Sequence, residues 1–165
     1  MSNDTAPKTT IRPLTLDDRQ RHDELVYELD RAHHAALPGL IRAPGDAVVA
    51  EDEYRRRIAD SATFIAGAET QRGLIGFIRV SVIDSSGGRA HLPIRYARVE
   101  EIVVESNERR GGIGRALLSA ARDWAQKNGA RSLDLGVYAF NAEAVAFYER
   151  EGFSTKVVSL SLPLN

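Results

Sequence analysis

Hydrophobic and polar positions along this chain follow two repeating patterns. Apolar residues alternate with polar ones, or run together as β-branched stretches, in segments that predict strands at 11–16, 63–68, 74–83, 94–104, 132–138 and 153–162. They recur every three or four positions in segments that predict helices at about 17–37, 47–59, 112–127 and 142–150. The resulting order, β-α-α-β-β-β-α-β-α-β, indicates an α/β (α+β) protein with a mixed sheet and helices on both faces.

Residues that break or cap regular structure mark several boundaries of these segments. Asp17 or Asp18 is expected to cap the first helix. Pro13 places the first strand at an edge of the sheet, because proline has no N–H to donate to a neighbouring strand. Gly76, inside a predicted strand, indicates a bulge or a close approach of two backbones.

The stretch 99–118 has the pattern of a strand, a glycine-rich turn and a helix. A glycine-rich turn that opens a helix presents bare backbone N–H groups and the positive end of the helix dipole, and this arrangement binds phosphate or pyrophosphate. The glycines are Gly111, Gly112 and Gly114, and fixed positive charge comes from Arg109, Arg110 and Arg115. The turn is not a P-loop, because no Lys-Ser or Lys-Thr follows it, and its spacing does not fit G-x-G-x-x-G.

Length, charge and composition exclude several classes of function and several kinds of site. The 165 residues are expected to form one domain over 11–165 after a flexible N-terminus at 1–10. A net charge of −1 argues against a nucleic-acid binder, and no apolar run approaches membrane-spanning length. The absence of cysteine excludes disulfides, thiolate metal sites and cysteine nucleophiles. The polar start does not resemble a signal peptide, so a cytoplasmic location is expected.

Two motifs resemble those of one known family. Arg109-x-x-Gly112-x-Gly114 after a strand resembles the Gln/Arg-x-x-Gly-x-Gly/Ala loop with which GNAT superfamily N-acetyltransferases hold the acetyl-CoA pyrophosphate. Asn141 to Phe153 is similar to their second signature, N-x-x-A-x-x-[FL]-Y-[EK]-x-x-G-F. The resemblance covers 75–160 by motif and 11–75 by the order of elements.

Membership of this family implies a fold and an activity. The fold is a GNAT-like mixed, mostly antiparallel sheet of six to seven strands. The activity is direct transfer of an acetyl group from acetyl-CoA, as co-substrate and without a metal, to a primary amine of a small molecule or peptide. Nucleic acid and membrane are not expected as partners. Dimers are common in the family, so a homodimer that uses the last strand is one expectation.

The resemblance also implies roles for individual residues. Backbone groups of the strand before the loop would pair with the pantetheine arm, through Ile102, Val103 and Val104. Backbone groups of the loop would hold the pyrophosphate, through Arg109, Arg110, Gly111, Gly112, Ile113, Gly114 and Arg115. Asn141 matches the family's pantetheine-contacting Asn, and Tyr148 matches its general acid, which protonates the leaving thiolate. The alternative for Tyr148 is a tyrosine that simply packs in the core.

The general base and the acceptor site are less well defined. Glu100 and Glu101 are neighbours on a strand and therefore point to opposite faces, Glu100 with Ile102 and Glu101 with Val99. Either carboxylate could accept the amine proton, and Glu100 is preferred. The enzymes of this family that act on ribosomal-protein N-termini carry a base Glu where this chain has Gly136, so their mechanism is not expected here.

The acceptor region lies at 30–60 and 84–95. His33 and His34, as well as Glu100, are candidates to contact the acceptor, and the bland alternative is that both histidines are helix-surface residues. The three arginines at 55–57 and the acidic cluster at 46–53 are most simply a solvated helix face and charges at a helix start. A different function that fits the same motifs is an acyl-CoA-binding module or sensor without turnover.

Overall fold

Five strands form one sheet in the residues that this computed structural model describes, 9–45 and 49–164. They are β1 (Thr10–Pro13), β2 (Thr63–Thr70), β3 (Gly73–Ser85), β4 (Ile94–Val104) and β5 (Leu133–Leu135). They lie in the sheet in chain order. Strands β1 to β4 are antiparallel neighbours, and β5 runs parallel to β4. The helices are α1 (Arg19–Ala36), α2 (Glu51–Ala59), α3 (Ile113–Lys127) and α4 (Ala142–Arg150).

Parts of two predicted segments lie outside the described residues. The predicted flexible N-terminus at 1–10 falls there for its first eight residues, and the predicted start of the second helix falls there at 47–48. The described part of that helix begins at Glu51. The observed order of elements is β-α-α-β-β-β-α-β-α, which lacks the last strand of the predicted order.

The prediction of six to seven strands was wrong for the described residues. The segment 153–162 alternates as a strand does, but it forms no backbone ladder with the described chain, and beyond Phe153 its residues are exposed. Alternation shows which side chains suit a core, whereas a strand also needs a neighbour with free N–H and C=O groups, which is a long-range condition. Strand β5 is shorter than predicted for the same reason, since only 133–135 pair with β4.

Helices cover both faces of the sheet, as predicted. The change of face is visible between two neighbouring residues of β3, because Phe77 belongs to one core and Ile78 to the other. Helix α1 packs on the Phe77 side through Leu25 and Val26. Helix α3 packs on the Ile78 side, where Leu117 is fully buried. Burial of each such side chain contributes about 1.5–3 kcal/mol, so the amphipathic patterns of α1 and α3 fix which face each covers.

A charged cluster joins the sheet edge to the start of α1. The Arg12 guanidinium donates two hydrogen bonds of 2.8 Å to the Asp18 carboxylate and one of 2.7 Å to Glu69. The Thr15 N–H donates to the same Asp18 carboxylate at 2.8 Å. Asp18 is the N-cap residue of α1, one of the two residues predicted for that position, although its side chain bonds to Thr15 and not to the first turn of the helix. Thr15 caps the short 3-10 turn at Leu16–Asp18 that leads into α1. The Arg12 bonds lower the pKa of Asp18 from 3.8 to about 2.

We expect Asp18→Asn to lower the free energy of unfolding by about 1–2 kcal/mol at pH 7, a value reduced for solvent screening of a partly exposed pair. Because the pKa of Asp18 is lower in the folded state, its stabilisation is complete above about pH 4 and is lost as the pH falls toward about 2. Urea unfolding of both proteins across this range measures the difference. Asp17→Asn, one exposed residue earlier, is the control and should have little effect. A gap between Asp18→Asn and wild type that stays constant down to pH 2 would contradict this account.

Candidate active site

Strand β4 carries a bulge in the middle of its pairing with β3. Arg79 lies opposite Glu101 and the next residue, Val80, lies opposite Val99, so Glu100 has no partner in β3. One extra residue on one strand reverses the alternation of side chains beyond it. Glu101 therefore lies on the face opposite Val99, and the prediction that these two residues share a face was wrong.

Beyond the bulge, β4 and β5 separate. Their parallel pairing runs from Ala97 opposite Leu133 to Val99 opposite Leu135, where β5 ends. Strand β4 continues for five more residues, 100–104, that have no strand partner on the β5 side in the described chain. A row of free N–H and C=O groups is thus exposed to any extended polar molecule that lies beside it.

Alternate residues of β4 turn their N–H and C=O groups toward opposite neighbours, and the Glu105 N–H bonds to Ile75 O of β3 at 2.8 Å. Of the three predicted pantetheine-pairing residues, Ile102 and Val104 therefore face the free edge with their backbones, whereas Val103 faces β3. Ile102 and Val104 direct their side chains to the core under α3, and Val103 is buried in the core under α1. None of these side chains is free to contact a ligand through polar atoms, since all three are apolar. Any contribution that they make to binding is through the main chain, as the sequence predicts.

The glycine-rich turn follows β4 after a short 3-10 turn at Ser106–Glu108, and it contains two left-handed residues. Arg110 has φ 66° and Gly112 has φ 82°, and α3 begins at the next residue, Ile113. The N–H of Ala116 is the first that bonds back to the turn, to Gly112 O at 3.0 Å. In the described part of the chain, the N–H groups of 113–115 donate to no backbone oxygen, which leaves the positive end of a 15-residue helix facing the turn.

Arginine side chains surround this turn. Arg109 Nε donates to the Val104 carbonyl at 3.0 Å, which ties the turn to the end of β4. Arg110 and Arg115 are exposed by 87% and 70%, and they contact Glu143 and Glu151 at the ends of α4. Such exposed pairs are weak, so both guanidinium groups can turn toward an anion at low cost.

Helix α4 packs against the start of α3 and brings two predicted residues to this end of the sheet. Gly114 makes the contact possible, because a Cβ there would lie 3.1 Å from the Phe147 ring. Asn141 caps α4 by accepting the Ala144 N–H at 3.1 Å through its Oδ1, and its amide NH2 makes no hydrogen bond in the described chain. Tyr148 follows Phe147 and is half-buried, with its ring 5.7 Å from that of Phe153.

Burial raises the pKa of Tyr148 above its ordinary value of 10. The phenol is therefore protonated throughout the neutral range and is available as a proton donor. Tyr148 can pack in the core and still act as an acid, because its ring is apolar while the hydroxyl at the end of the side chain is polar.

The two candidate bases differ in their surroundings. Glu101 Oε2 accepts a 2.8 Å bond from Arg79 Nε, and both side chains are less than a fifth exposed. Glu100 lies in the bulge, is exposed, and has no ion pair in the described chain. Asp30 on α1 is a third acidic residue near these two, and no pattern in the sequence indicates it. Burial raises the pKa of Asp30, and the negative charge of Glu101 raises it further.

The two predicted acceptor histidines are separated by the structure. The His33 ring lies edge-on to Tyr138, with centroids 5.6 Å apart, and Tyr138 stacks on Phe140 at 5.6 Å. His34 Nδ1 instead lies 2.7 Å from the Ile41 carbonyl oxygen, so this residue holds the loop after α1. His33 thus stays a candidate, with one aromatic neighbour, Tyr138, that the sequence did not indicate.

Charged residues of α2 form a solvated face, as predicted. Arg55, Arg56 and Arg57 pair with Glu51 and Glu53 of the same helix at 2.7–2.8 Å. Of the other two members of the predicted acidic cluster, Asp52 lies 4.0 Å from Arg56, and Asp46 lies outside the described residues. Among the described residues there is also no group of three acidic or histidine side chains that could hold a metal, and no helix long and apolar enough to cross a membrane.

Comparisons with known proteins agree with this geometry. The sequence model of the acetyltransferase (GNAT) family matches residues 25–153. The chain belongs to the GNAT acetyltransferase family. Members of this family use acetyl-CoA as co-substrate.

Individual relatives differ in how much of their length they share with this chain. Uncharacterized N-acetyltransferase YhfO from Bacillus subtilis (strain 168) is 31% identical over 112 residues, 68% of this chain and 72% of YhfO. Streptothricin acetyltransferase from Streptomyces lavendulae is 40% identical over 105 residues, 63% of this chain but only half of that enzyme. A crystal structure of a mutant of the BH1408 protein from Bacillus halodurans shares the fold, with a TM-score of 0.89 at 19% identity, over 94% of this chain and 99% of that one.

The left-handed backbone of Arg110 yields a stability prediction. We expect the free energy of unfolding of Arg110→Gly to exceed that of Arg110→Ala by about 0.5–1 kcal/mol, because glycine has no Cβ to strain a positive φ. Urea unfolding of both variants measures the difference. Arg109 has an ordinary φ of −68°, so there the order should reverse, with Arg109→Gly the less stable variant of its pair. The same order at both positions would show that the turn does not hold Arg110 in this conformation.

Proposed function

We propose that this chain transfers an acetyl group from acetyl-CoA directly to a primary amine of a small molecule or a peptide. One observation carries the proposal: the free edge of β4 leads straight into a turn of unpaired N–H groups, with Tyr148 on the adjoining helix. Family membership supports acetyl transfer to amines in general. The kind of acceptor is our inference, since the chain spans only half of the streptothricin enzyme.

The residues present fit the pantetheine arm and the pyrophosphate of acetyl-CoA. The backbone groups of Ile102 and Val104 that face the free edge pair with the amide groups of the pantetheine arm, as a strand partner would. The N–H groups of 113–115 and the helix dipole hold the pyrophosphate, and Arg110 and Arg115 supply neutralising charge. The free amide NH2 of Asn141 donates to the pantetheine arm. The chain's main-chain groups thus do most of the binding, which explains why glycine is needed where the turn approaches the ligand.

Acetyl transfer then requires two proton movements. The amine must lose a proton to attack the thioester carbonyl, and the leaving thiolate must gain one. Glu100 accepts the amine proton, directly or through water, because its carboxylate is exposed and has no ion pair in the described chain. Glu101 is already bound by Arg79 and serves structure instead. The C–N bond forms as the C–S bond breaks, and the Tyr148 phenol donates its proton to the sulfur.

The acceptor amine approaches on the side of α1. There Asp30 supplies negative charge that attracts an ammonium group, and His33 and Tyr138 form an aromatic wall. A desolvated carboxylate such as Asp30 favours a cation beside it, because the cation offsets the cost of burial. The acceptor therefore carries at least one amine that is charged in solution.

Tyr148→Phe removes the proposed acid and leaves the packing of the ring unchanged. We expect kcat to fall by about 100-fold or more, within the range for general acids, while the Kd for acetyl-CoA stays near that of wild type. Thiol release with a panel of polyamines, amino acids, aminoglycosides and peptides with free N-termini measures turnover, and calorimetry measures binding. Tyr27→Phe, an exposed tyrosine of α1, is the matched control. Unchanged turnover in Tyr148→Phe would show that Tyr148 is not the general acid.

Substitutions of the two neighbouring glutamates should affect different measurements, the rate for Glu100 and the stability for Glu101. We expect Glu100→Gln to lower kcat with little change in stability, and the defect should shrink as the pH rises and the amine loses its proton in solution. We expect Glu101→Gln to lower the free energy of unfolding by about 1–3 kcal/mol, because Arg79 is left largely buried without its carboxylate. Rate profiles against pH and urea unfolding measure the two effects. A stability loss in Glu100→Gln with normal kinetics would reverse the assignment.

A further inference from the structure

The sheet face on which α1 lies continues on the other side of the bulge as a polar surface. Ala97 and Val99 of β4 pack in the core under α3. The residues that alternate with them, Tyr96 and Arg98, therefore point to the face on which α1 lies. Their neighbours on that face come from β3 and β5, namely Ser81, Ile83 and Asp134. None of these five side chains is buried or belongs to the core under α1, so a ligand can reach this part of the face.

Arg98 lies at the centre of this surface. In the sheet register it is opposite Ser81 of β3 on one side and Asp134 of β5 on the other. Its guanidinium carbon lies 5.9 Å from the centre of the Tyr96 ring, within the range of a cation–π contact. Arg98 is exposed, and among the residues that the structure describes its side chain forms no hydrogen bond or ion pair. Its N–H donors are therefore available to a ligand.

The carboxylates nearest to Arg98 on this face are already paired with other cations. Asp134 Oδ2 lies 2.8 Å from Lys156 Nζ, and the same ammonium lies 6.0 Å from the centre of the Tyr96 ring. Just past the bulge, Glu101 is paired with Arg79 at 2.8 Å. Because these two carboxylates are neutralised, the positive charge of Arg98 is in excess, and the surface around it attracts an anion.

This positive charge lies close to the proposed general base. Arg98 precedes Glu100 by two positions, and two residues of a strand span about 7 Å, a distance that one small molecule or one peptide terminus can bridge. On the other side of the bulge, Asp30 lies near Glu101. Along β4 the site therefore has a negative end at Asp30 and a positive end at Arg98, with Glu100 between them.

We propose that Arg98 selects acceptor amines that also carry an acid group, and that it binds the carboxylate or phosphate of the acceptor while the amine lies at Glu100. This inference rests on the proposed function, because it concerns the acceptor of the same reaction. A guanidinium matches the two oxygens of a carboxylate or phosphate with two parallel N–H donors. Arg98 is thus a specificity-determining residue, and Lys156 adds a second positive charge on the same side of the Tyr96 ring.

Matched pairs of amines, which differ in the presence of the acid group, test this proposal. The acids are β-alanine, γ-aminobutyrate and O-phosphoethanolamine, and their neutral partners are β-alaninamide, γ-aminobutyramide and ethanolamine. Calorimetry on the chain saturated with coenzyme A measures the Kd of each compound, and thiol release from acetyl-CoA measures turnover. We expect at least one acid to bind more tightly than its neutral partner by about 10-fold or more, as one charge-assisted contact provides. The pair with the largest ratio distinguishes a carboxylate from a phosphate.

Substitution of Arg98 should remove this preference and leave the chemistry intact. We expect Arg98→Gln to bring the ratio of the two Kd values close to one, and to raise KM for the acid with little change in kcat. Arg98→Lys keeps the charge and should retain part of the preference. Arg131→Gln, at an exposed arginine just before β5, is the control and should bind the acids as wild type does.

The two readouts separate this inference from the proposed function. Equal affinity of wild type for the acids and their neutral partners, no binding of either, or a preference that persists in Arg98→Gln would overturn the selection by Arg98. Acetylation of neutral amines as fast as of acids would also overturn it and would leave acetyl transfer to amines in place. Binding of an acid that depends on Arg98, without thiol release from any amine, would support the anion site and contradict the proposed reaction.

Discussion

The separation of β4 from β5 after Val99 is the constraint on which the candidate site depends. Two parallel strands that stayed paired to their ends would satisfy each other's backbone groups and leave nothing for a ligand. Here β5 stops at Leu135 while β4 runs on to Val104. The unpaired length ends where the glycine-rich turn begins, so a single extended molecule can meet main-chain groups of the strand and then those of the helix start.

The bulge at Glu100 sits at the point of separation. It allows Ala97 and Val99 to pack under α3 before the bulge and Ile102 to pack there after it, while one acidic residue is left out of the ladder. Glu101, which stays in the ladder opposite Arg79, is instead paired with that arginine. A local irregularity in the sheet thus leaves a free carboxylate at the start of the unpaired length of β4.

How much could be predicted from the sequence differs between local and long-range features. Helix α3, its glycine turn and the Asn141 cap depend on neighbouring residues, and their patterns are visible in the chain. Gly76 was also informative, because a Cβ there would lie 2.7 Å from the Val103 carbonyl oxygen, which confirms a close approach of two backbones. By contrast, the bulge depends on the register between β3 and β4, and no pattern within β4 indicates which residue is left out.

Two further features depended on partners far away in sequence. Asp30 was not distinguished from other acidic residues of α1, because its importance arises from its approach to Glu101 on β4. The alternation in 153–162 predicts a strand, but the described chain offers this segment no neighbouring strand. The pattern alone therefore predicts too many strands for the sheet. Periodicity identifies a face that needs cover and does not identify what covers it.

Calorimetric titration of the purified chain with acetyl-CoA tests the central claim most directly, with free coenzyme A and NAD as comparisons. The account predicts micromolar binding of both coenzyme A species, because both carry the pantetheine arm and pyrophosphate that the β4 edge and the turn hold. It predicts no measurable binding of NAD, which has the pyrophosphate but no pantetheine arm. Binding of NAD as tight as that of acetyl-CoA, or of none of the three, would contradict the account.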